Sequence, residues 1–129
     1  MQLSDLVREW LGRAEQDGAT AEFLLQMRPR PDEIIGFHAQ QAVEKAAKAI
    51  LVSASITPPR THDLVFLHQL VAREADVDFD RMQLFSRLTP YAVEHRYPVT
   101  SSVDPNQIEA DAHEAAQFVR IVKERLFSE

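Results

Sequence analysis

The sequence predicts an all-α protein: an up-and-down antiparallel helical bundle of four main helices plus a short fifth, forming one domain over residues 1–129. Three observations predict it. Prolines at Pro29, Pro31, Pro58, Pro59, Pro90, Pro98 and Pro105 cut the chain into segments. Within the segments, apolar residues recur at helical spacing. No stretch reads convincingly as a strand, and the extended candidate Val99–Val103 is short and loop-like.

The first helix is read from Ser4, as N-cap, with Asp5 favoured in the first turn by the helix dipole. Leu3, Val7, Trp10, Ala14, Asp17, Ala21 and Leu24 form one line along it, and Leu11, Ala14, Gly18, Ala21 and Leu25 a neighbouring one. The helix ends before Pro29. Asp17 is the anomaly, a carboxylate on an apolar line, and it calls for a buried partner such as Lys45 or Arg96.

The second helix follows Asp32 as N-cap. Ile35, Ala39, Ala42, Ala46 and Ala49 make a small-residue face that lets another helix come close. Ile34, Phe37, Val43, Ala47, Ile50 and Leu51 cover most other directions, so this helix is central. Its polar residues, His38, Gln40, Gln41, Glu44, Lys45 and Lys48, therefore cannot all face water.

Thr61 or Asp63 caps a third helix whose inner face is Leu64, Leu67, Leu70 and Val71. A fourth begins near Asp80 with Leu84, Phe85 and Leu88 inside. Pro90 either kinks it or restarts it with Thr89 as N-cap, and the stretch runs to Arg96. The last helix has the clearest start: Asp104 as N-cap, Pro105 in the first helical position and Gln107 placed for a capping box. Ile108, Ala112, Ala115, Val119, Val122 and Leu126 line its inner face. The second apolar line on each long helix reads either as a thick core or as a face for a second copy, and the homodimer is the preferred reading.

Composition excludes several function classes. Hydrophobic residues make up 45% of the chain, enough for a core without a disulfide or metal staple. With no cysteine there is no thiolate metal site and no thiol nucleophile. Gly12, Gly18 and Gly36 are spaced wrongly for a glycine-loop phosphate cradle. The N-terminus does not read as a signal peptide, and no apolar run is long enough to span a bilayer, which points to a soluble cytoplasmic protein. The histidines lack metal-ligand spacing, so neither a metal nor a cofactor is expected. A net charge of −6 argues against non-specific duplex DNA binding.

Three constellations carry polar chemistry. His38, Gln41, Lys45 and Lys48 line one edge of the second helix, with Glu44 one turn before Lys48. They read either as a seam that meets a phosphate or base, or as lysines that reach to solvent beside a local Glu44 pair. Pro58-Pro59-Arg60-Thr61-His62-Asp63 forms a stiff loop at a helix start, where free N–H groups suit an anion, although Thr61 and Asp63 also serve as caps. Glu94-His95-Arg96-Tyr97-Pro98 ends the fourth helix. There Arg96 suits the helix dipole and Tyr97 can stack on a base or cover the bundle end.

Taken together, Phe37-His38-Ala39-Gln40-Gln41-Ala42-Val43-Glu44-Lys45-Ala46, Pro59-Arg60-Thr61-His62-Asp63-Leu64 and Val93-Glu94-His95-Arg96-Tyr97-Pro98 resemble the HEPN family, the higher eukaryotes and prokaryotes nucleotide-binding domain. The resemblance spans nearly the whole chain. It implies a helical bundle, commonly dimeric, that in prokaryotes often stands beside a minimal nucleotidyltransferase in a two-protein or toxin–antitoxin module. Many HEPN proteins are metal-independent ribonucleases with an Arg-x4–6-His motif, and that motif is missing. Arg30 to His38, Arg60 to His68 and Arg87 to His95 each have seven intervening residues, and Arg96 meets no histidine before His113. The Arg96-Tyr97-Pro98 form resembles the non-nuclease branch.

The resemblance thus implies a nucleotide-binding or accessory module with a nucleotide or RNA ligand. Its pocket would lie between the second helix, the Arg60–Asp63 loop and Arg96. Lys45, Arg60 and Arg96 would meet phosphate, His38, Gln41, His62 and Tyr97 would complete the site, and Asp17, Glu44 and Asp63 would support it. The alternatives are a ribonuclease toxin built on Arg96 with His62 or His95, and a purely structural interaction domain.

Overall fold

The computed structural model describes residues 2–75, 80–92 and 104–127. It is all-helical over them: α1 (Leu3–Leu24), α2 (Asp32–Ser53), α3 (Leu64–Glu74), α4 (Met82–Leu88), a 3-10 turn (Thr89–Ala92) and α5 (Pro105–Phe127). Three long helices, α1, α2 and α5, form the body, and α3 and α4 are shorter. The predicted segment from Val93 through Pro98, with His95, Arg96 and Tyr97, and the Val99–Val103 stretch lie outside the described residues.

Cross-helix pairs set the directions. Asp17 meets Lys45 while Trp10 meets Lys48, so α1 and α2 are antiparallel. Glu22 meets His113, Glu15 meets Lys123 and Arg8 lies over Phe127, so α1 and α5 are antiparallel too. It follows that α2 and α5, which pack directly together, run in the same direction. Alanines let helix axes approach, and the predicted alanine face is closed off: Ala39, Ala42, Ala46 and Ala49 are all fully buried, with Ala42 beside Gly18 of α1. Gly18 does the same for α1 and α5, where a Cβ would sit 3.3 Å from the Ala116 Cα.

α2 packs against α1, α3, α4, the 3-10 turn and α5, and is the central helix its pattern predicts. The core continues into α4 and α5, with Phe85 edge-on to Phe118 at 5.3 Å. His68 of α3 is buried, stands edge-on to Phe85 at 4.9 Å, and accepts the Arg81 N–H at the start of α4. Arg87 ties α4 to α5 through the buried Asp111 at 2.9 Å and through Glu114 at 3.1 Å.

The caps differ from the predictions in detail. α1 starts at Leu3, and the Gln2 carbonyl accepts from Asp5 and Leu6, so Ser4 lies inside the first turn rather than capping it. Asp32 is the first residue of α2 rather than its cap, because the Arg30 guanidinium holds its carboxylate. Asp63 caps α3 by accepting from Val65 and Phe66, and Thr61 in turn accepts from the Asp63 N–H. Thr89 does not start a new helix; its hydroxyl donates back to the Phe85 carbonyl and α4 tightens into the 3-10 turn. At α5, Asp104 accepts from Asn106 as predicted, but the Gln107 amide bonds Asp111, so the capping box is half made.

Candidate functional site

The polar edge of α2 divides into two linked clusters. In the first, Asp17 of α1 reaches across to α2 and holds both Lys45 and His38. Lys45 Nζ lies 2.6 Å from one carboxylate oxygen, and His38 Nδ1 donates to the other at 2.9 Å. Asp17 is 14% exposed, so this pair is largely removed from water. The neighbouring small residues explain its position: Ala14, Gly18 and Ala21 let α1 sit close enough to α2 for a short side chain to reach across. His38 is also held edge-on by Phe37. With Nδ1 engaged, its Nε2 is the nitrogen left to meet other groups.

The second cluster centres on Glu44, which is almost fully buried. Its Oε1 accepts from Gln40 at 3.1 Å and from His62 Nδ1 at 2.8 Å, and its Oε2 faces Lys48 at 3.3 Å. Gln40 also donates to the His62 carbonyl, and Gln41 donates to the Gln40 side-chain oxygen at 2.6 Å. These bonds dock the loop before α3 onto α2. Lys48 is itself buried, with its ammonium 5.7 Å from the Trp10 ring, so it does not reach to solvent. A buried lysine of this kind requires its carboxylate partner.

Each carboxylate therefore balances one lysine and orients one histidine. The charges of the two lysines and the two carboxylates cancel within the clusters. Alongside Lys45 and Asp17 a groove of about 450 Å³ opens, completed by Glu9, Gly12, Arg13 and Gln16 of α1.

The structure thus brings together Asp17, His38 and Lys45, and separately Gln41, Glu44 and His62. It does not draw Arg60 to them. Arg60 is exposed and makes no hydrogen bond or ion pair among the described residues. Asp63 acts as the α3 cap. Arg96 and Tyr97 lie outside the described residues. The sequence reading missed the α1 side of the groove. The available signal was that Glu9, Gly12, Arg13 and Gln16 share one helical face next to Asp17.

Elsewhere, Arg30 closes the junction between α2 and α5, paired with Asp32 and donating to the Pro105 carbonyl at 2.6 Å. Its hydrogen bond to Asp32 raises the guanidinium above its ordinary pKa. The Tyr91 phenol is raised as well, first by burial and then by the carboxylates of Asp111, Asp32 and Glu33. Among the described residues no group of three or more His, Asp or Glu is arranged to hold a metal ion, and no helix is long and apolar enough to cross a membrane.

A family model described as HEPN domain matches residues 7–126 of the chain. No match was found among curated proteins or among solved structures.

Proposed function

The chain belongs to the HEPN family, and we propose that it is a nucleotide-binding accessory module that partners a minimal nucleotidyltransferase protein in a two-protein, toxin–antitoxin-like arrangement. Family membership carries a nucleotide- or RNA-related function. The finer reading is supported by one observation above the others: the Lys45 ammonium, fixed by Asp17 at 2.6 Å, stands at the wall of an open groove. Lysine meets a phosphate as a point charge, and a carboxylate that holds it in place spares the ligand part of the ordering cost. His38 Nε2 adds a second polar contact.

Arg60, exposed on the loop that His62 docks, has no hydrogen bond or ion pair among the described residues and is placed to meet an anionic group or a partner. A second copy of the chain is part of the proposal, with Phe23, Met27 and Ile34 supplying exposed apolar surface around the α1–α2 turn. A ribonuclease would need His95 or Arg96, and the missing Arg-x4–6-His spacing favours the accessory role instead.

Calorimetry with nucleoside triphosphates tests the ligand. Binding heat from the unaltered protein, lost in Lys45→Ala, is the expected result, and identical behaviour of the two proteins overturns the site. Co-expression with a minimal nucleotidyltransferase tests the partner: co-purification at a fixed ratio supports the module, and separate elution refutes it.

A further inference from the structure

A second cavity of about 240 Å³ lies beside the groove and is lined by Leu6, Glu9, Trp10 and Arg13. The two cavities share Glu9 and Arg13, so they form one trough along the outer face of α1. Leu6 and Trp10 line one end, and the other carries Arg13, Lys45 and the Gln16 amide together with the carboxylates of Glu9 and Asp17, which pair with Arg13 and Lys45.

Among the described residues, Gly12 is the glycine that no contact explains. A Cβ built on Gly36 would meet the Tyr91 ring, and one on Gly18 would meet Ala116, but one on Gly12 meets nothing within 4 Å. Glycine inside an exposed helix weakens it relative to alanine, so this position carries a cost with no packing return. Gly12 lines the groove, and among the described residues nothing covers the backbone that the missing side chain leaves open.

The walls show what chemistry suits the space. Trp10 is half-buried, with the Lys48 ammonium 5.7 Å from its ring, so the indole is held in place and can act as a stacking platform for a base. Arg13 lies one turn further on the same face. Its one partner among the described residues is Glu9 at 3.3 Å, and both side chains are well exposed, at 62% and 47%. Exposed pairs of this type contribute little, so a phosphate can take the place of Glu9. Guanidinium then meets phosphate with two parallel hydrogen bonds. Lys45, by contrast, is fixed by Asp17. A partner helix is the rival occupant, since a surface glycine also suits close helix packing. But Glu9, Arg13 and Gln16, which surround Gly12, offer no apolar stripe for one.

We infer that this trough binds a nucleoside phosphate, either free or as one unit of single-stranded RNA, with the base on Trp10 and the phosphate between Arg13 and Lys45. The inference rests on the nucleotide reading above and gives Lys45 its ligand-side neighbours.

Trp10 is the sole tryptophan, so its emission reports this site directly. The full chain is titrated with AMP, a short oligoadenylate, adenosine and inorganic phosphate. Saturable quenching by AMP is expected, about tenfold or more weaker for adenosine and for Arg13→Ala, and absent in Gly12→Leu. Tighter quenching by the oligoadenylate identifies RNA as the source, and equal quenching a free nucleotide. Gly12→Ala should raise the melting temperature, showing that the glycine is not kept for stability. The inference is overturned if AMP and the oligoadenylate give no saturable quenching, or if Gly12→Leu and Arg13→Ala bind as tightly as the unaltered chain. If calorimetric binding survives in those two variants yet is lost in Lys45→Ala, the trough is wrong and the proposed function stands. No nucleotide binding by the unaltered chain overturns both. Loss of a co-purifying nucleotidyltransferase in Gly12→Leu, with quenching unchanged, assigns the trough to a partner helix instead.

Discussion

Glu44 is the residue with most at stake for stability. It is 3% exposed and is the common acceptor for Gln40, Lys48 and His62. Glu44→Ala leaves a buried ammonium unpaired, so a loss of about 3–5 kcal/mol is expected from urea unfolding. Glu44→Gln, which keeps the shape and one acceptor, should lose less. Gly36 makes a second prediction. A Cβ there would lie 2.4 Å from the Tyr91 ring, so Gly36→Ala should cost about 1–3 kcal/mol, and less when Tyr91→Ala removes the obstacle.

Tyr91 makes a third prediction, in pH. Its folded-state pKa is raised, so the folded protein holds this proton more tightly than the unfolded chain does. The associated stability is present below the ordinary tyrosine value, about 10, and is lost as pH climbs above it. Chemical denaturation should therefore show an alkaline fall in stability that is shallower in Tyr91→Phe.

Among single residues, the pairing of Asp17 is legible in the sequence. A carboxylate on an apolar helical line must be paired, and Lys45 is one of the partners the pattern proposes. Lys48 is less legible. It sits on the same stripe as Lys45, and only the arrival of Trp10 from α1 decides that one lysine lines a groove while the next is buried.

At the level of elements, caps with a free side chain read well and caps with a competing partner do not. Asp63 and Asp104 accept from the helix N–H groups as their positions predict, so Asp63→Ala and Asp104→Ala should each cost about 1 kcal/mol by thermal or urea unfolding. Asp63→Ala should also loosen the loop that carries His62, read as a change in the His62 ring resonances by NMR. Asp32 carries the same signal but is taken by Arg30, and Gln107 is taken by Asp111. Both competitors are fixed by tertiary contacts, through Arg30 to Pro105 and Arg87 to Asp111, which local pattern does not contain. The fourth helix shows the same limit. Its apolar residues are correct, but Pro90 and the backward bond of Thr89 tighten it after seven residues.

At the scale of the molecule, the central place of α2 is the most legible feature, because a helix apolar in nearly every direction has to be surrounded. The parallel contact between α2 and α5 is not visible in either helix alone. It emerges only from the pairs that each helix makes with α1. The trough is harder still, since an exposed Gly12 reads as an ordinary weak position until the space above it is seen. Filling that position with alanine should raise stability by about 0.5–1 kcal/mol. At −6, the chain as a whole repels long polyanions, which suits a trough that accepts a single nucleotide unit.

The central place of α2 also determines how the protein opens. Every other helix leans on it, so no partial unfolding can expose its interior amides without dismantling the bundle. The amides of Val43 through Ile50 should exchange with deuterium only through global unfolding, with protection that tracks total stability as denaturant is added. Those of α4, held by seven residues and the Arg87 bridges, should exchange by a cheaper local opening. Under Glu44→Ala the two classes should converge, as the global limit falls toward the local one.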